Sequence, residues 1–394
     1  MSKWQQVKLN DCCASISDGD HQAPPKSESG IPFVTISNID SYNSLDFSNV
    51  MYVPQMYYDK LDNKRKAQKG DIIYSVVGSF GLPVLIKDNT PFVFQRHIAI
   101  LKPGDDLDSR FLYYTMLNKD FYHKADAVAI GAAQRTISLS ALRNLEISLP
   151  PIEEQRKIAD VLSAYDDLIE NNRKQIKLLE EAAQRLYKEW FIDLRFPGHE
   201  TTPIIDGIPE GWEKGQLGSI IKLRSGFAFK SKDFCSDGTF KIVTIKNVQD
   251  GIFNDKNTDM IVAPPVNMPK HCLLSDGNIL LSLTGNIGRI CMVVGQNFLL
   301  NQRVAKIESQ YPSFAYCLFR NKDFCDTINN LANGAAQQNL SPVKTEQMNI
   351  QIPPEYLLQK FENTTSLLLQ KLQILCKDNT KLQESRDYLL KKLL

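Results

Sequence analysis

The sequence predicts a mixed α+β protein: two similar globular domains separated by two long helices that pair as an antiparallel coiled coil. Three observations predict it. The stretch Leu149 to Trp190 carries an uninterrupted heptad seam. A second seam of equal length starts near Tyr356. The segments before the two seams repeat one another in order.

The first rod has a sharp start. Pro150 and Pro151 block helix before it and suit its first turn, and Glu153 and Glu154 face the positive end of its dipole. No Gly or Pro follows until Pro197. Its seam runs Ile158, Leu162, Tyr165, Ile169, Asn172, Ile176, Leu179, Ala183, Leu186, Trp190, with steps alternating four and three. Nearly forty residues at about 1.5 Å each give a rod of roughly 60 Å, longer than a small domain needs. The second seam runs Leu358, Phe361, Thr365, Leu368, Leu372, Leu375, Asn379, Leu382, Arg386, Leu389, Leu393. Each seam holds one Asn. Two apolar stripes of equal length are expected to bury each other; the alternative is two amphipathic helices, each lying on its own domain.

The repeat covers the rest. GAAQRTISLSALRNLEISLPP from Gly131 matches GAAQQNLSPVKTEQMNIQIPP from Gly334, and Asn118-Lys119-Asp120-Phe121 matches Asn321-Lys322-Asp323-Phe324. Gln95-Arg96 matches Gln302-Arg303, with Ala99 against Ala305 one residue out of phase. Gly70-Asp71-Ile72 matches Gly277-Asn278-Ile279, and Gly78-x-x-Gly81 matches Gly285-x-x-Gly288. Val34-Thr35-Ile36 with Asn38 matches Val243-Thr244-Ile245 with Asn247, and Trp4 matches Trp212. The offset of the Gly131–Gly334 match carries Ile158 onto Phe361, Leu179 onto Leu382 and Leu186 onto Leu389, while the upstream matches drift from it by a few residues. Strands are expected at Pro32–Ile39, Asp71–Val77, Val84–Ile86 and Phe92–Leu101, and helices at Ser109–Leu117 and Tyr122–Val128. In the second half, strands are expected at Lys241–Val248, Ile279–Leu283, Arg289–Val294 and Phe298–Ile307. The organisation is a domain over 1–150, a helix over 151–192, a Pro/Gly-rich linker over 193–211, a domain over 212–352 and a helix over 353–394.

Composition narrows the class. Hydrophobic content of 43% and charged content of 23% suit a globular protein. With 46 basic against 45 acidic residues, any nucleic-acid surface must be a local patch. The start, MSKWQQVKLNDCC, lacks the apolar core of a signal peptide, and no apolar run is long enough to span a bilayer. A cytoplasmic protein that does not engage membranes is expected. The eight cysteines show no CxxC pair or zinc spacing, so reduced thiols are expected. Two similar, non-identical modules on a rod suit a linear target with two half-sites, such as DNA.

LPPIEEQRKIADVLSAYDDLIE, LYKEWFIDLRFPGHE, GIPEGWE, GFAFKSKDF and the paired GAAQ loops resemble the specificity subunit of type I restriction-modification enzymes. The resemblance implies that 1–150 and 212–352 are target recognition domains and that the helices are the family's conserved spacers. It implies double-stranded DNA as target, and two methylation subunits and motor-nuclease restriction subunits as partners. S-adenosylmethionine, ATP and magnesium would belong to those partners, with no cofactor, metal or catalytic residue in this chain. The second helix departs from the pattern, because Pro353 to Gln359 lacks the EEQ run. The alternatives are a non-DNA scaffold of two modules on a coiled coil, and an enzyme with an unrecognised site in one domain.

The residues agree with a non-enzyme. None of the four Pro-Pro pairs has Asn or Asp before it or an aromatic residue after it, as the amino-methyltransferase motif requires. No GxxxxGK[ST] loop is present, and His21, His97, His123, His199 and His271 lack metal-site spacing. The two GxxG sequences read as tight turns or anion-binding turns.

Base reading needs Arg, Lys, Asn, Gln, Ser or Thr at loop tips. The GAAQ loops offer Gln134, Arg135 and Thr136 in one copy and Gln337, Gln338 and Asn339 in the other. The alternative reading is a turn whose Gln caps a neighbouring strand. Further DNA-binding candidates are Lys26, Ser79 and Arg96, and Arg224, Lys230, Lys232, Asn286 and Arg289, many of them for phosphate. Glu153, Glu154, Arg156, Lys157, Arg173 and Lys174 flank the first seam as a candidate docking rail.

Overall fold

A computed structural model describes residues 4–19, 21, 23–40, 42–131, 134–256, 258–332 and 339–394. They divide into two compact units, Met1–Ile169 with Leu382–Leu394, and Glu170–Lys381. Both units extend beyond the globular segments expected from sequence, since each takes part of both long helices.

The first unit contains an antiparallel sheet ordered Cys13–Asp18, Ile98–Pro103, Ile72–Ser75, Pro83–Leu85. All four residues of Ile72–Ser75 are buried, as in a strand covered on both faces. A smaller sheet is ordered Met51–Val53, Ile31–Val34, Val93–Phe94, with the last pair parallel. Gln5–Lys8 pairs with Glu146–Leu149, so the chain closes on itself before the rod begins. Helix Ser109–Leu117 starts where the Asp108 side chain accepts the N–H groups of Arg110 and Phe111.

The second unit repeats this topology. One sheet is ordered Ile221–Ser225, Val304–Ser309, Ile279–Ser282, Ile290–Met292. The other is ordered Met260–Ile261, Phe240–Val243, Phe298–Leu300, Leu273–Leu274, with its central pair parallel. Glu213–Gln216 pairs with Asn349–Ile352.

Several repeated motifs have structural causes. Asn118 accepts the N–H of Asp120 at the start of helix Lys119–Val128, and Asn321 accepts the N–H of Phe324. The helix expected over Tyr122–Val128 therefore starts earlier, at its cap. Asn38 accepts the N–H and hydroxyl of Thr35 and donates to the Asp46 and Asn49 carbonyls. Asn247 does the same for Thr244 and donates to Asn254. The strand expected over Pro32–Ile39 accordingly ends at Val34, and a 3₁₀ turn over Ile36–Asn38 follows.

The first rod is helical over Ile152–Tyr187 and ends in a π-helical turn, Lys188–Ile192. The wider turn buries the consecutive Trp190 and Phe191 together, both against Phe361 of the second rod, Glu355–Leu393. Every seam residue is buried or half-buried. This holds for Ile158, Leu162, Tyr165, Ile169, Ile176, Leu179 and Leu186, and for Phe361, Leu368, Leu372, Leu375, Leu382 and Leu389. Within the second unit Asn172 meets Asn379 and Trp190 meets Phe361, so the rods run antiparallel there. Within the first unit Arg386 donates to Asp166 at 2.6 Å, which explains an arginine in a seam.

The departure in the second rod also has a cause. In the first unit Gln155, buried, accepts the N–H of Asp108 and donates to the carbonyls of Asp106 and Pro150. The second unit places Leu358 in its core instead, and Glu362 accepts the N–H and hydroxyl of Ser313 at the start of helix Pro312–Arg320. The clamp moves from a glutamine to a glutamate one turn later.

Candidate nucleic-acid interface

Each unit joins its repeated loops through one buried residue at a strand end. Val76 donates its N–H to the His97 carbonyl at 2.8 Å, and its carbonyl accepts the N–H of Ile137 at 2.9 Å. Leu283 donates to the Arg303 carbonyl at 3.0 Å and accepts from Leu340 at 2.8 Å. The turn after Gln95, the GxxG turn and the return of the GAAQ loop are thereby laced side by side. Gly78 adds a bond to the Arg135 carbonyl, and Val77–Thr136 and Thr284–Asn339 pair as isolated bridges.

The GxxG sequences are tight turns, with Gly78, Gly81, Gly285 and Gly288 at φ of 73°, 91°, 71° and 82°. A buried serine holds each turn from below. Ser75 donates its hydroxyl to the Ser79 carbonyl and accepts the N–H of Leu82. Ser282 donates to the Asn286 carbonyl and accepts the N–H of Arg289. Sequence reasoning passed over both serines, though each is the last residue of an otherwise apolar strand, at an equal interval before its GxxG glycine.

The segments expected as single strands, Phe92–Leu101 and Phe298–Ile307, are each broken by a turn. Val93–Phe94 and Ile98–Pro103 belong to different sheets, as do Phe298–Leu300 and Val304–Ser309. The breaks close with Ile98 N–H to the Gln95 carbonyl and Val304 N–H to the Asn301 carbonyl. Gln95 N–H reaches Val34, and Asn301 N–H reaches Val243. Gly19 and Gly226 cross over the turns so closely that a Cβ on either would collide with backbone, of Phe94 and Gln95 or of Leu300 and Asn301. These bonds correct the sequence register. Ala99 and Ala305 are in phase, and the Gln-Arg pairs are the members one residue apart. Gln95 corresponds to Asn301, Arg96 to Gln302 and His97 to Arg303.

The candidate residues fall into three groups. Ser79, Arg96, Gln134, Thr136, Asn286 and Asn339 belong to the laced turns, and all but the half-buried Thr136 are exposed. Arg135 also lies there, but its guanidinium is engaged by Asp126 at 2.7 Å. Arg289 is half-buried at the end of the second GxxG turn. Lys26, Lys230 and Lys232 are exposed on the loops that follow the crossing glycines. Arg224 lies on strand Ile221–Ser225 and donates to Glu308 at 3.0 Å. Burial pushes the Glu308 carboxyl up, but the hydrogen bonds from Arg224 and Lys306 outweigh it and hold the group below its ordinary range. Gln337 and Gln338 lie outside the described residues.

The sequence profile of the type I restriction modification DNA specificity domain matches residues 1–181 and 209–373. The chain belongs to this family. Among curated members, the type I restriction enzyme MjaIX specificity subunit of Methanocaldococcus jannaschii is 29% identical over 374 residues, covering 92% of this chain and 85% of the relative. The HindI specificity subunit of Haemophilus influenzae is 21% identical, covering 100% and 99%. The crystal structure of the type I S subunit from M. genitalium shares the fold, with a TM-score of 0.59 at 21% identity over 99% of this chain and 96% of that one. The two profile matches of the specificity family cover both copies of the repeat and run into both rods. No helix among the described residues is long and apolar enough to cross a membrane.

Proposed function

We propose that this chain is the non-catalytic specificity subunit of a type I restriction-modification enzyme. It reads a bipartite, asymmetric duplex site, one half per recognition domain. The laced turns of each unit form the DNA surface, with Ser79, Arg96, Gln134, Arg135 and Thr136 in the first, and Asn286, Arg289 and Asn339 in the second; Gln337 and Gln338, outside the described residues, are candidates from the sequence alone. Lys26, Arg224, Lys230 and Lys232 supply phosphate contacts beside them. The rods dock two methylation subunits, and motor-nuclease subunits join for cleavage. S-adenosylmethionine, ATP and magnesium belong to those partners. The observation that carries the reading is the repeated lacing: the same backbone scaffold in both units presents different polar residues, as readers of different half-sites must.

Exchange of residues 1–150 for the matching domain of another family member tests it. The assembled complex is expected to methylate a site altered in one half only. A change in both halves, or no DNA modification by the wild-type assembly, overturns the reading.

A further inference from the structure

Resting on that reading, we propose that the turn Gln95–Ile98 and its counterpart Asn301–Val304 are the base-reading elements. Arg96 in the first domain and Arg303 in the second each recognise a guanine in the major groove, from positions one residue apart.

Three observations support this. First, the turns are rigid. Each is bonded to a strand end (Val76 or Leu283), to a parallel strand (Val34 or Val243) and to the segment that crosses it at Gly19 or Gly226. These bonds are made by backbone; the Asn301 side-chain oxygen also accepts the Arg303 N–H at 3.2 Å, and the Arg96 and Arg303 guanidinium groups are left for a ligand on a preorganised frame. Second, the arginines are available. Arg96 and Arg303 are exposed, and neither forms an ion pair with a described residue. Arg135 and Arg224, by contrast, are held by Asp126 and Glu308. Third, the residue types fit. The triplets Gln95-Arg96-His97 and Asn301-Gln302-Arg303 consist of side chains that donate to base edges, and arginine makes a bidentate pair with guanine O6 and N7. A one-position shift of the arginine on an identical frame is a minimal way to give two domains different half-sites. The match of Gln-Arg with Gln-Arg in the sequence hides this shift.

The test is methylome sequencing of the assembled complex carrying Arg303→Lys or Arg96→Lys, beside wild type. Lysine keeps the charge and loses the bidentate fork. Arg303→Lys is expected to relax one G·C position in one half-site, with discrimination falling about 10- to 100-fold, and to leave the other half unchanged. Arg96→Lys is expected to do so in the other half. An unchanged motif in both variants overturns the inference, while a bipartite wild-type motif leaves the proposed function standing. No bipartite motif from wild type sinks that function itself. Should methylation vanish, anisotropy binding to random duplex at low salt decides. Retained non-specific binding supports base reading, and its loss in a variant with wild-type circular dichroism marks a phosphate contact and overturns it.

Discussion

The Asn172 side-chain amide donates to the Asn379 side-chain oxygen at 3.0 Å, so the one asparagine of each seam meets the other. Asn379 is only 7% exposed. An amide pair in the seam favours the register in which both asparagines are satisfied over those that set either one against an apolar residue. Asn172→Ala is therefore expected to cost about 1–3 kcal/mol, because it leaves Asn379 unpaired. The double replacement with leucine is expected to be more stable than either single variant. Urea unfolding of the three variants checks this, and a double variant as weak as the worse single one would contradict it.

Thr365 occupies a seam position at 0% exposure, and its hydroxyl has no hydrogen-bond partner among the described residues. Valine has nearly the same shape without the polar atom. Thr365→Val is expected to stabilise the protein by about 1 kcal/mol, read as a higher urea midpoint with unchanged slope. A lower midpoint would mean that the hydroxyl is satisfied.

Arg320 and Glu180 pair at 2.6 Å with side chains 15% and 19% exposed, and the Tyr316 hydroxyl donates to the same carboxylate. Replacing the arginine leaves that carboxylate half-buried beside a phenol alone. Arg320→Met is expected to cost about 3–5 kcal/mol, and adding Glu180→Gln to recover part of it. Thermal melts of the single and double variants measure the coupling; additive losses would show that the pair does not act as a unit.

Ser282 ties the second GxxG turn to the sheet. Ser282→Ala leaves the Arg289 N–H and the Asn286 carbonyl without their partner, at a cost of about 1–3 kcal/mol. Methylation is expected to weaken through the second half-site only, with Ser75→Ala as its counterpart in the first. Equal loss at both half-sites would detach the serines from the reading turns.

Arg224 helps hold Glu308 below its ordinary pKa, so Arg224→Gln is expected to raise the Glu308 titration seen by NMR. A depressed carboxylate contributes stability above its unfolded pKa and loses it as pH falls through the folded value. The pair is largely exposed and worth about 0.2–1 kcal/mol at neutral pH. The stability gap between variant and wild type is therefore expected to close on acidification. A gap independent of pH would assign Arg224 some other role.

The sequence by itself determined the rods, the repeat and the mixed α+β class. A 3.5-residue apolar period admits few structures besides a paired helix, and two matching periods imply each other. It also determined where helix Ser109–Leu117 lies, because cap and stripe are both local. Tertiary structure alone decided the rest. Gln5–Lys8 meets Glu146–Leu149 across the whole domain, and nothing local announces that pairing. Gln155 and Glu362 clamp their units from different helix turns, a substitution visible only where each hydrogen bond lands. The break at Gln95 to His97 is a polar triplet between two short apolar runs, which read as one strand until the halves are seen in two sheets. The register of Arg96 against Gln302 and His97 against Arg303 was decided by backbone hydrogen bonds. The bonds to Val34, Val76, Val243 and Leu283 are non-local and blind to side-chain identity, so letter matching placed the arginines one residue away from where the fold holds them.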